Sequence, residues 1–94
     1  MVFFVDNKGI DTIKISIDKA ITGLEVYSGT AIFVDEDGKE KTNKWDAYPR
    51  DVTEPKKYPP VIILGRRKID DISIKLENSI MKAINDYRNS LNEQ

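Results

Sequence analysis

A chain of 94 residues, with 39% hydrophobic and 33% charged residues, is predicted to form one small domain over residues 1–94. Because it contains no cysteine and no histidine, disulfides, thiolate nucleophiles, histidine-based catalytic triads and metal sites built on these ligands are excluded. The formal net charge of −1 is untypical of a dedicated nucleic-acid binder, so nucleic acid is not the favoured partner.

The sequence shows no targeting or membrane-spanning pattern. Met1–Asp6 lacks the basic start of a signal peptide, and no apolar run approaches the roughly 20 residues that cross a bilayer. The carboxylates of Asp18 and of Asp70–Asp71 have no spacing that distinguishes them from polar residues at strand ends. We therefore expect a cytoplasmic protein that is not an enzyme, has no catalytic residues and uses no cofactor or metal.

The first third of the chain has the pattern of a β-hairpin. Val2–Val5 is a short apolar strand, and Asp6–Gly9 has the composition of a turn. In Thr12–Asp18 an isoleucine stands at every second position, which favours a strand with one apolar face. Residues 10–24 also fit a helical stripe that ends at Gly23, so a helix remains the alternative.

A shift of 59 residues superimposes the apolar and polar pattern of residues 2–21 on that of residues 61–80. This match predicts a duplicated hairpin, although two unrelated amphipathic hairpins would show a similar pattern. It makes Asp71–Glu77 a predicted strand rather than the first turns of a helix.

The middle of the chain is predicted to be a β-meander. Leu24–Tyr27 and Thr30–Val34 are typical of strands, separated by a turn or bulge at Ser28–Gly29. Asp35–Gly38 predicts a hairpin turn. The polar segment Lys39–Trp45 follows as a strand whose lysines suit an exposed sheet edge.

Three further elements complete the predicted chain. All four prolines lie between Pro49 and Pro60, within a predicted loop over residues 46–60, and loops of this length are usually functional or disordered. The longest aliphatic run, Val61–Leu64, is predicted to be a strand buried on both faces. A helix is predicted over Ser79–Asn92, capped by Asn78 or Ser79.

Basic residues concentrate in residues 50–68, which carry six basic and two acidic residues, whereas the rest of the chain carries nine and fourteen. Arginine binds phosphates through charge-assisted bidentate bonds, and aromatic rings stack on bases. The predicted ligand-binding residues are therefore Trp45, Tyr48, Arg50, Lys56, Lys57, Tyr58, Arg66, Arg67 and Lys68. The alternative interpretation is that these basic runs are solvated loop and turn residues.

Arg66 and Arg67 are expected to contribute most to binding. They follow Val61–Leu64, so the sheet should hold their backbone in place and lower the entropy lost on binding. As an exposed pair they are expected to contribute little to folding, so that replacing both leaves the stability unchanged.

Together these elements predict an α+β fold, an antiparallel twisted sheet of five or six strands with one C-terminal helix. A small core and an exposed edge strand favour self-association, so we expect a homo-oligomer. The predicted function is a non-catalytic module that binds an anionic small molecule, such as a nucleotide or a phosphate-bearing signal, or an acidic protein surface. The alternative is a protein–protein interaction module or inhibitor, such as a viral or mobile-element protein that blocks a host factor.

Overall fold

The chain forms one antiparallel sheet whose strands follow each other in chain order, with a helix packed against it. A computed structural model describes the backbone of residues 2–8, 11–67 and 69–92, and the side chains of residues 13–67 and 69–91. The elements are β1 (Val2–Lys8), β2 (Asp11–Ile21), β3 (Val26–Val34), β4 (Glu40–Tyr48), β5 (Val61–Leu64) and α1 (Asp71–Asn92). The predicted α+β class, antiparallel sheet and C-terminal helix are confirmed.

The region for which the sequence left strand and helix open is a strand. β2 pairs with β1 on one side and with β3 on the other, so the helical alternative is wrong. Ile13, Ile15 and Ile17 are buried, as their alternation predicted. The turn predicted at Asp6–Gly9 begins later, because β1 continues to Lys8; the rest of that turn lies outside the described residues.

Alternation along β3 divides the sheet into two faces. Four alternate residues are buried, namely Gly29 and the core residues Tyr27, Ala31 and Phe33, whereas the residues between them, Ser28, Thr30 and Ile32, are only half-buried. The helix adds four fully buried side chains at helical spacing to the same core: Leu76, Ile80, Ala83 and Ile84. The apolar stripe of the C-terminal helix therefore packs on the sheet.

We call the other side of the sheet the open face, because among the described residues no helix covers it. The Asp18 carboxylate lies there and accepts hydrogen bonds from the hydroxyls of Ser16 (2.9 Å) and Thr30 (3.2 Å). Exposed apolar side chains also occur on this face, including Tyr48 on β4 and Ile63 on β5. The open face is thus polar in the middle of the sheet and apolar towards β5.

The irregularity predicted at Ser28–Gly29 lies on the neighbouring strand instead. β3 is continuous through both residues, and the register of β2 shifts around Asp18, which is the extra residue of a β-bulge. Opposite this bulge the two strands approach closely. A Cβ atom at Gly29 would lie only 1.8 Å from the carbonyl oxygen of Ser16, so glycine is required here by the close approach of the neighbouring backbone.

The hairpin turn predicted at Asp35–Gly38 is confirmed. The Gly38 N–H donates a hydrogen bond to the Asp35 carbonyl oxygen (2.9 Å), and the Asp35 N–H donates to that of Lys39 (3.0 Å). Gly38 has a φ of 77°, which glycine adopts without steric cost.

Two predictions about the sheet edge are wrong. Lys39–Trp45 was expected at an exposed edge, but β4 lies between β3 and β5. Val61–Leu64 was expected to be buried on both faces, but β5 pairs only with β4 and its residues are half-buried or exposed. The reason is the connection after Tyr48, which returns the chain to the outer side of β4.

The predicted sixth strand and the duplicated hairpin are also wrong. Asp71–Glu77, expected to be a strand, forms the first two turns of α1. The alternation of Ile72, Ile74 and Leu76, which suggested a strand with one buried face, does not correspond to a buried face, because Ile74 is 56% exposed. Ile72, Leu76 and Ile80 instead lie at a spacing of four residues, which is the spacing of one helix face.

The helix therefore begins eight residues before the predicted start at Ser79. Its cap is Asp70 rather than Asn78 or Ser79. The Asp70 carboxylate accepts hydrogen bonds from the N–H (3.0 Å) and the hydroxyl (3.1 Å) of Ser73. Asp71 in the first turn adds a negative charge at the positive end of the helix dipole.

A buried ion pair joins the β2–β3 turn to the C-terminal part of α1. Glu25 is only 2% exposed and has a φ of 58°, and its carboxylate pairs with the guanidinium group of Arg88. Arg88 also lies over the ring of Tyr27, at 5.9 Å from the centroid. Burial raises the pKa of the Tyr27 hydroxyl above its ordinary value. This cluster fastens the far end of the helix to the sheet.

Candidate anion-binding cleft

The nine predicted ligand-binding residues do not form one site. One group lies in or beside the loop over residues 49–60, and a second group follows the other end of β5. These groups are separated by the length of a four-residue strand, roughly 13 Å. The remaining two are Trp45, which is 1% exposed and belongs to the core, and Lys68, which lies outside the described residues.

The first group consists of exposed side chains: Tyr48, Arg50, Lys56, Lys57 and Tyr58. The loop that carries most of them is three residues shorter than predicted, because Asp46–Tyr48 belongs to β4. Within it the Lys57 ammonium group pairs with the Glu54 carboxylate at 3.1 Å and lies 5.5 Å from the centroid of the Tyr58 ring.

Local hydrogen bonds give the same loop its turns. The Asp51 carboxylate accepts hydrogen bonds from the hydroxyl (2.6 Å) and the N–H (2.9 Å) of Thr53, and these bonds lower the pKa of Asp51. The Lys57 N–H donates to the Glu54 carbonyl oxygen at 3.1 Å. These contacts are all within the loop.

Both backbone groups of Gly65 connect the turn after β5 to β4 by hydrogen bonds. The Gly65 N–H donates a hydrogen bond to the Lys44 carbonyl oxygen at 2.7 Å, and the Asn43 side-chain amide donates to the Gly65 carbonyl oxygen at 3.0 Å. A Cβ atom at Gly65 would come within 3.0 Å of that Lys44 oxygen. The residue directly before Arg66 and Arg67 is therefore hydrogen-bonded to β4 through both of its backbone groups.

Arg66 is a structural residue as well as a basic one. Its guanidinium group pairs with the Asp70 carboxylate at 3.0 Å, and the two side chains are only 10% and 17% exposed. The same guanidinium lies 5.5 Å from the centroid of the Phe33 ring. Because Asp70 caps α1, Arg66 connects the end of β5, the core and the helix N-terminus. The expectation of an exposed arginine pair is wrong for this member.

Arg67, by contrast, is exposed, and no ion pair to it occurs among the described residues. It lies at the rim of an open cleft of about 360 Å³ between β4 and the turn after β5. The cleft is lined by three cationic side chains, one carboxylate and three uncharged residues: Lys41, Arg66, Arg67, Asp35, Phe33, Thr42 and Asn43. The lining side chains alone carry more positive than negative charge, and two of the three cations, Lys41 and Arg66, are paired with carboxylates outside the lining, Asp37 and Asp70.

Sequence reasoning missed Lys41 and Asn43 as members of this cleft. Lys41 was interpreted as a residue that protects a sheet edge. Its ammonium group is 3.5 Å from the Asp37 carboxylate, and both side chains remain more than 40% exposed, so this pair is weak. The pairing of β4 with β5 brings Asn43 to the turn after β5, where its side-chain amide donates to the Gly65 carbonyl oxygen, and only this pairing could have indicated the neighbourhood.

We expect Arg66→Ala to lower the free energy of unfolding by about 2 kcal/mol, because the Asp70 carboxylate would lose its charge-assisted partner at a mostly buried position. Arg67→Ala removes an exposed side chain of the same turn and should change the free energy of unfolding by less than about 0.5 kcal/mol. Urea unfolding of both variants measures the difference. Equal stability of the two variants would show that the Arg66–Asp70 pair does not support the helix start.

No group of three or more acidic, histidine or cysteine side chains that could hold a metal ion occurs in the part of the chain that the structure describes. Within the same residues, no helix combines the length and the hydrophobicity needed to cross a membrane. No protein-family model, no curated protein and no solved structure matches this chain. The features of this chain that bear on function are therefore the geometry of the cleft and of the sheet.

Proposed function

We propose that this chain is a non-catalytic binding module that captures an anionic group, such as the phosphate of a nucleotide or of a phosphate-bearing signal, in the cleft of Lys41, Arg66 and Arg67. The observation that carries the proposal is the convergence of these three cations from two separate strands, with Asp35 as the only carboxylate among the described lining residues. A positive cleft on a chain of net charge −1 concentrates attraction for anions at one place.

The three cations would have different roles. Arg67 has no ion pair with any residue that the structure describes, and the planar array of donors of its guanidinium group suits bidentate contact with a phosphate. Lys41 is paired only weakly, so its ammonium group can turn from Asp37 to a bound anion at little cost. Arg66 is held by Asp70 and adds fixed positive charge at the base of the cleft.

The dimensions of the cleft support a small ligand. Its volume of about 360 Å³ is at the lower end of the range of small-molecule sites, roughly 300–1,000 Å³. Because the cleft is open to solvent, it suits one phosphate or diphosphate group better than a fully enclosed nucleotide. The rest of such a ligand would extend over Thr42, which is an exposed residue of the lining.

Arg67→Ala is expected to weaken the binding of pyrophosphate or ATP at least about tenfold, since one charge-assisted contact contributes roughly 1.5–3 kcal/mol. Arg50→Ala is the matched control: Arg50 is an exposed arginine of the same basic segment, but it lies beyond the opposite end of β5. Isothermal titration calorimetry at low ionic strength measures both affinities, and added salt should weaken the binding of the parent protein.

If Arg50→Ala weakened binding as much as Arg67→Ala, diffuse attraction by the basic segment would account for the affinity and the cleft would not. If neither pyrophosphate nor a nucleotide panel bound the parent protein or raised its unfolding temperature, the proposal would be wrong. A ligand at a hundred times its Kd stabilises the folded state by about 2.7 kcal/mol, which a thermal scan resolves.

A specific observation also favours the second candidate function, a protein–protein interaction module or inhibitor. The open face is apolar towards β5, where Tyr48 and Ile63 on neighbouring strands are 43% and 51% exposed. Val52 in the adjacent loop is 81% exposed. Exposed apolar side chains that lie together are typical of interaction sites. This function would be supported if a protein partner protected the open face while anions left the unfolding temperature unchanged.

A further inference from the structure

The edge strand β5 is short, but it lacks the charges, prolines and bulges by which proteins usually protect a sheet edge within the strand itself. Val61–Leu64 contains no charge, no proline and no bulge, and it is the longest aliphatic run of the chain. Its sequence is typical of a strand buried on both faces, yet Ile63 is 51% exposed in the single chain. A further strand paired with this edge would bury β5, as its composition predicts.

The register of β5 determines which of its residues direct their N–H and C=O groups away from β4. The Gly65 N–H bonds to Lys44, and Gly65 is opposite Lys44 when the β4–β5 register is continued by one residue. In an antiparallel pair, hydrogen-bonded and non-hydrogen-bonded positions alternate. Ile63 therefore also bonds to β4, whereas the N–H and C=O groups of Ile62 and Leu64 point away from the sheet.

We propose that β5 pairs antiparallel with β5 of a second copy of this chain, across a two-fold axis at Ile63. In this register Ile62 of each copy lies opposite Leu64 of the other. The N–H and C=O groups of both residues then form four hydrogen bonds between the copies. Ile63 lies opposite Ile63 of the second copy on the open face, where its exposed side chain becomes buried.

The prolines before β5 and the end of the strand at Leu64 select this register. A two-fold pairing must place each residue opposite one whose side chain points to the same face, so the nearest alternatives are centred on Leu64 and on Ile62. The first pairs Ile62 with Arg66, which lies beyond the end of β5. The second places Leu64 opposite Pro60, which has no N–H to donate to the Leu64 carbonyl oxygen. Only the register centred on Ile63 pairs all four outward groups within Val61–Leu64.

The charges beside β5 are compatible with a second copy. In the proposed register Arg66 and Arg67 lie opposite Pro60 and Pro59 of the other chain rather than opposite each other. The two Arg66 residues are six positions apart along the strands, which is roughly 20 Å, so their repulsion is screened at physiological salt. The inference does not depend on anion binding, because β5 pairs through its backbone and Ile63.

Sedimentation at micromolar concentration should give about twice the chain mass of 10.8 kDa for the parent protein. Ile63→Lys places two ammonium groups opposite each other at the axis and should give the single-chain mass. Val34→Lys is the matched control, because Val34 is 53% exposed at the end of β3, away from β5, and this variant should remain a dimer. Circular dichroism verifies that both variants fold.

A cysteine placed at the axis tests the register. The chain has no cysteine, and non-hydrogen-bonded antiparallel pairs have Cα atoms about 4.5 Å apart, within the range of a disulfide. Ile63→Cys should therefore form a disulfide-linked dimer on mild oxidation, and Val34→Cys should not. A parent protein that sediments as a monomer overturns the proposal. So does a dimer that survives Ile63→Lys, or an Ile63→Cys variant that crosslinks no faster than Val34→Cys.

Discussion

Arg88→Ala is expected to lower the free energy of unfolding by about 3 kcal/mol, because it leaves the Glu25 carboxylate buried without a cation. Glu25 is 2% exposed and Arg88 is 20% exposed, so solvent does little to replace the lost partner. The variant also removes the guanidinium that lies over the Tyr27 ring. Chemical unfolding with urea measures the loss.

The loop ion pair of Lys57 and Glu54 is the matched control. Its charged atoms are 3.1 Å apart, but its side chains are 54% and 53% exposed. Lys57→Ala should therefore change the stability by less than about 0.5 kcal/mol. The double variant Glu25→Ala/Arg88→Ala should be less destabilised than the sum of its single variants by about 1–2 kcal/mol, since the second replacement removes the unpaired charge. Additive losses would show that burial alone, and not the pair, determines the effect.

Gly29→Ala is expected to destabilise the protein by at least about 3 kcal/mol, the upper part of the range for overpacked cores. The new Cβ would meet the Ser16 carbonyl oxygen at 1.8 Å and Cζ2 of Trp45 at 2.8 Å. The first is backbone in the middle of the sheet, and the second belongs to a ring that is 1% exposed, so neither can move freely.

Gly38→Ala separates this steric effect from the backbone preference of glycine. Gly38 has a φ of 77°, and nothing lies within 4 Å of the position that a Cβ atom would take there. Alanine at this position should therefore cost only about 1–2 kcal/mol of left-handed strain. Thermal unfolding of both variants provides the comparison. If Gly29→Ala were no less stable than Gly38→Ala, β2 and β3 would not approach each other as closely as the structure shows.

Sequence patterns within short segments correctly predicted the strands, turns and helix that depend on contacts between residues close in sequence. The alternation in Thr12–Asp18, the turn at Asp35–Gly38 and the stripe that includes Ile80 and Ile84 all correspond to structure. The start of the helix was missed because Ile72 and Leu76 fit both an alternating strand and a helix face. The contacts between Asp70 and Ser73 cap the helix at this point and favour it over the strand. The apparent repeat of residues 2–21 favoured a strand here, so this cap was not predicted.

The position of β5 could not be predicted from its composition. An aliphatic run indicates that a segment is to be buried, but it does not identify the chain that buries it. Within one copy, Val61–Leu64 has a neighbour on one side only. This is the reason that the sequence predicted a central strand where the structure has an edge.

The candidate cleft was predicted in part for a similar reason. The basic residues of segment 50–68 are close in sequence, but β5 separates Arg50 from Arg67 in space. Lys41 is distant in sequence, but β3 and β4 bring it to the same cleft as Arg67. Charge runs identify a basic segment, whereas strand pairing determines which of its members can act together.

The central claim, that the cleft beside Arg67 is the anion site, is tested most directly by mapping amide chemical shifts during titration with pyrophosphate. We expect the shifts to be concentrated in residues 41–43 and 65–67, and we expect Arg67→Ala to abolish them. Arg50→Ala should leave them intact. Shifts concentrated instead in residues 50–58, or spread evenly over all exposed basic residues, would contradict the assignment of this cleft.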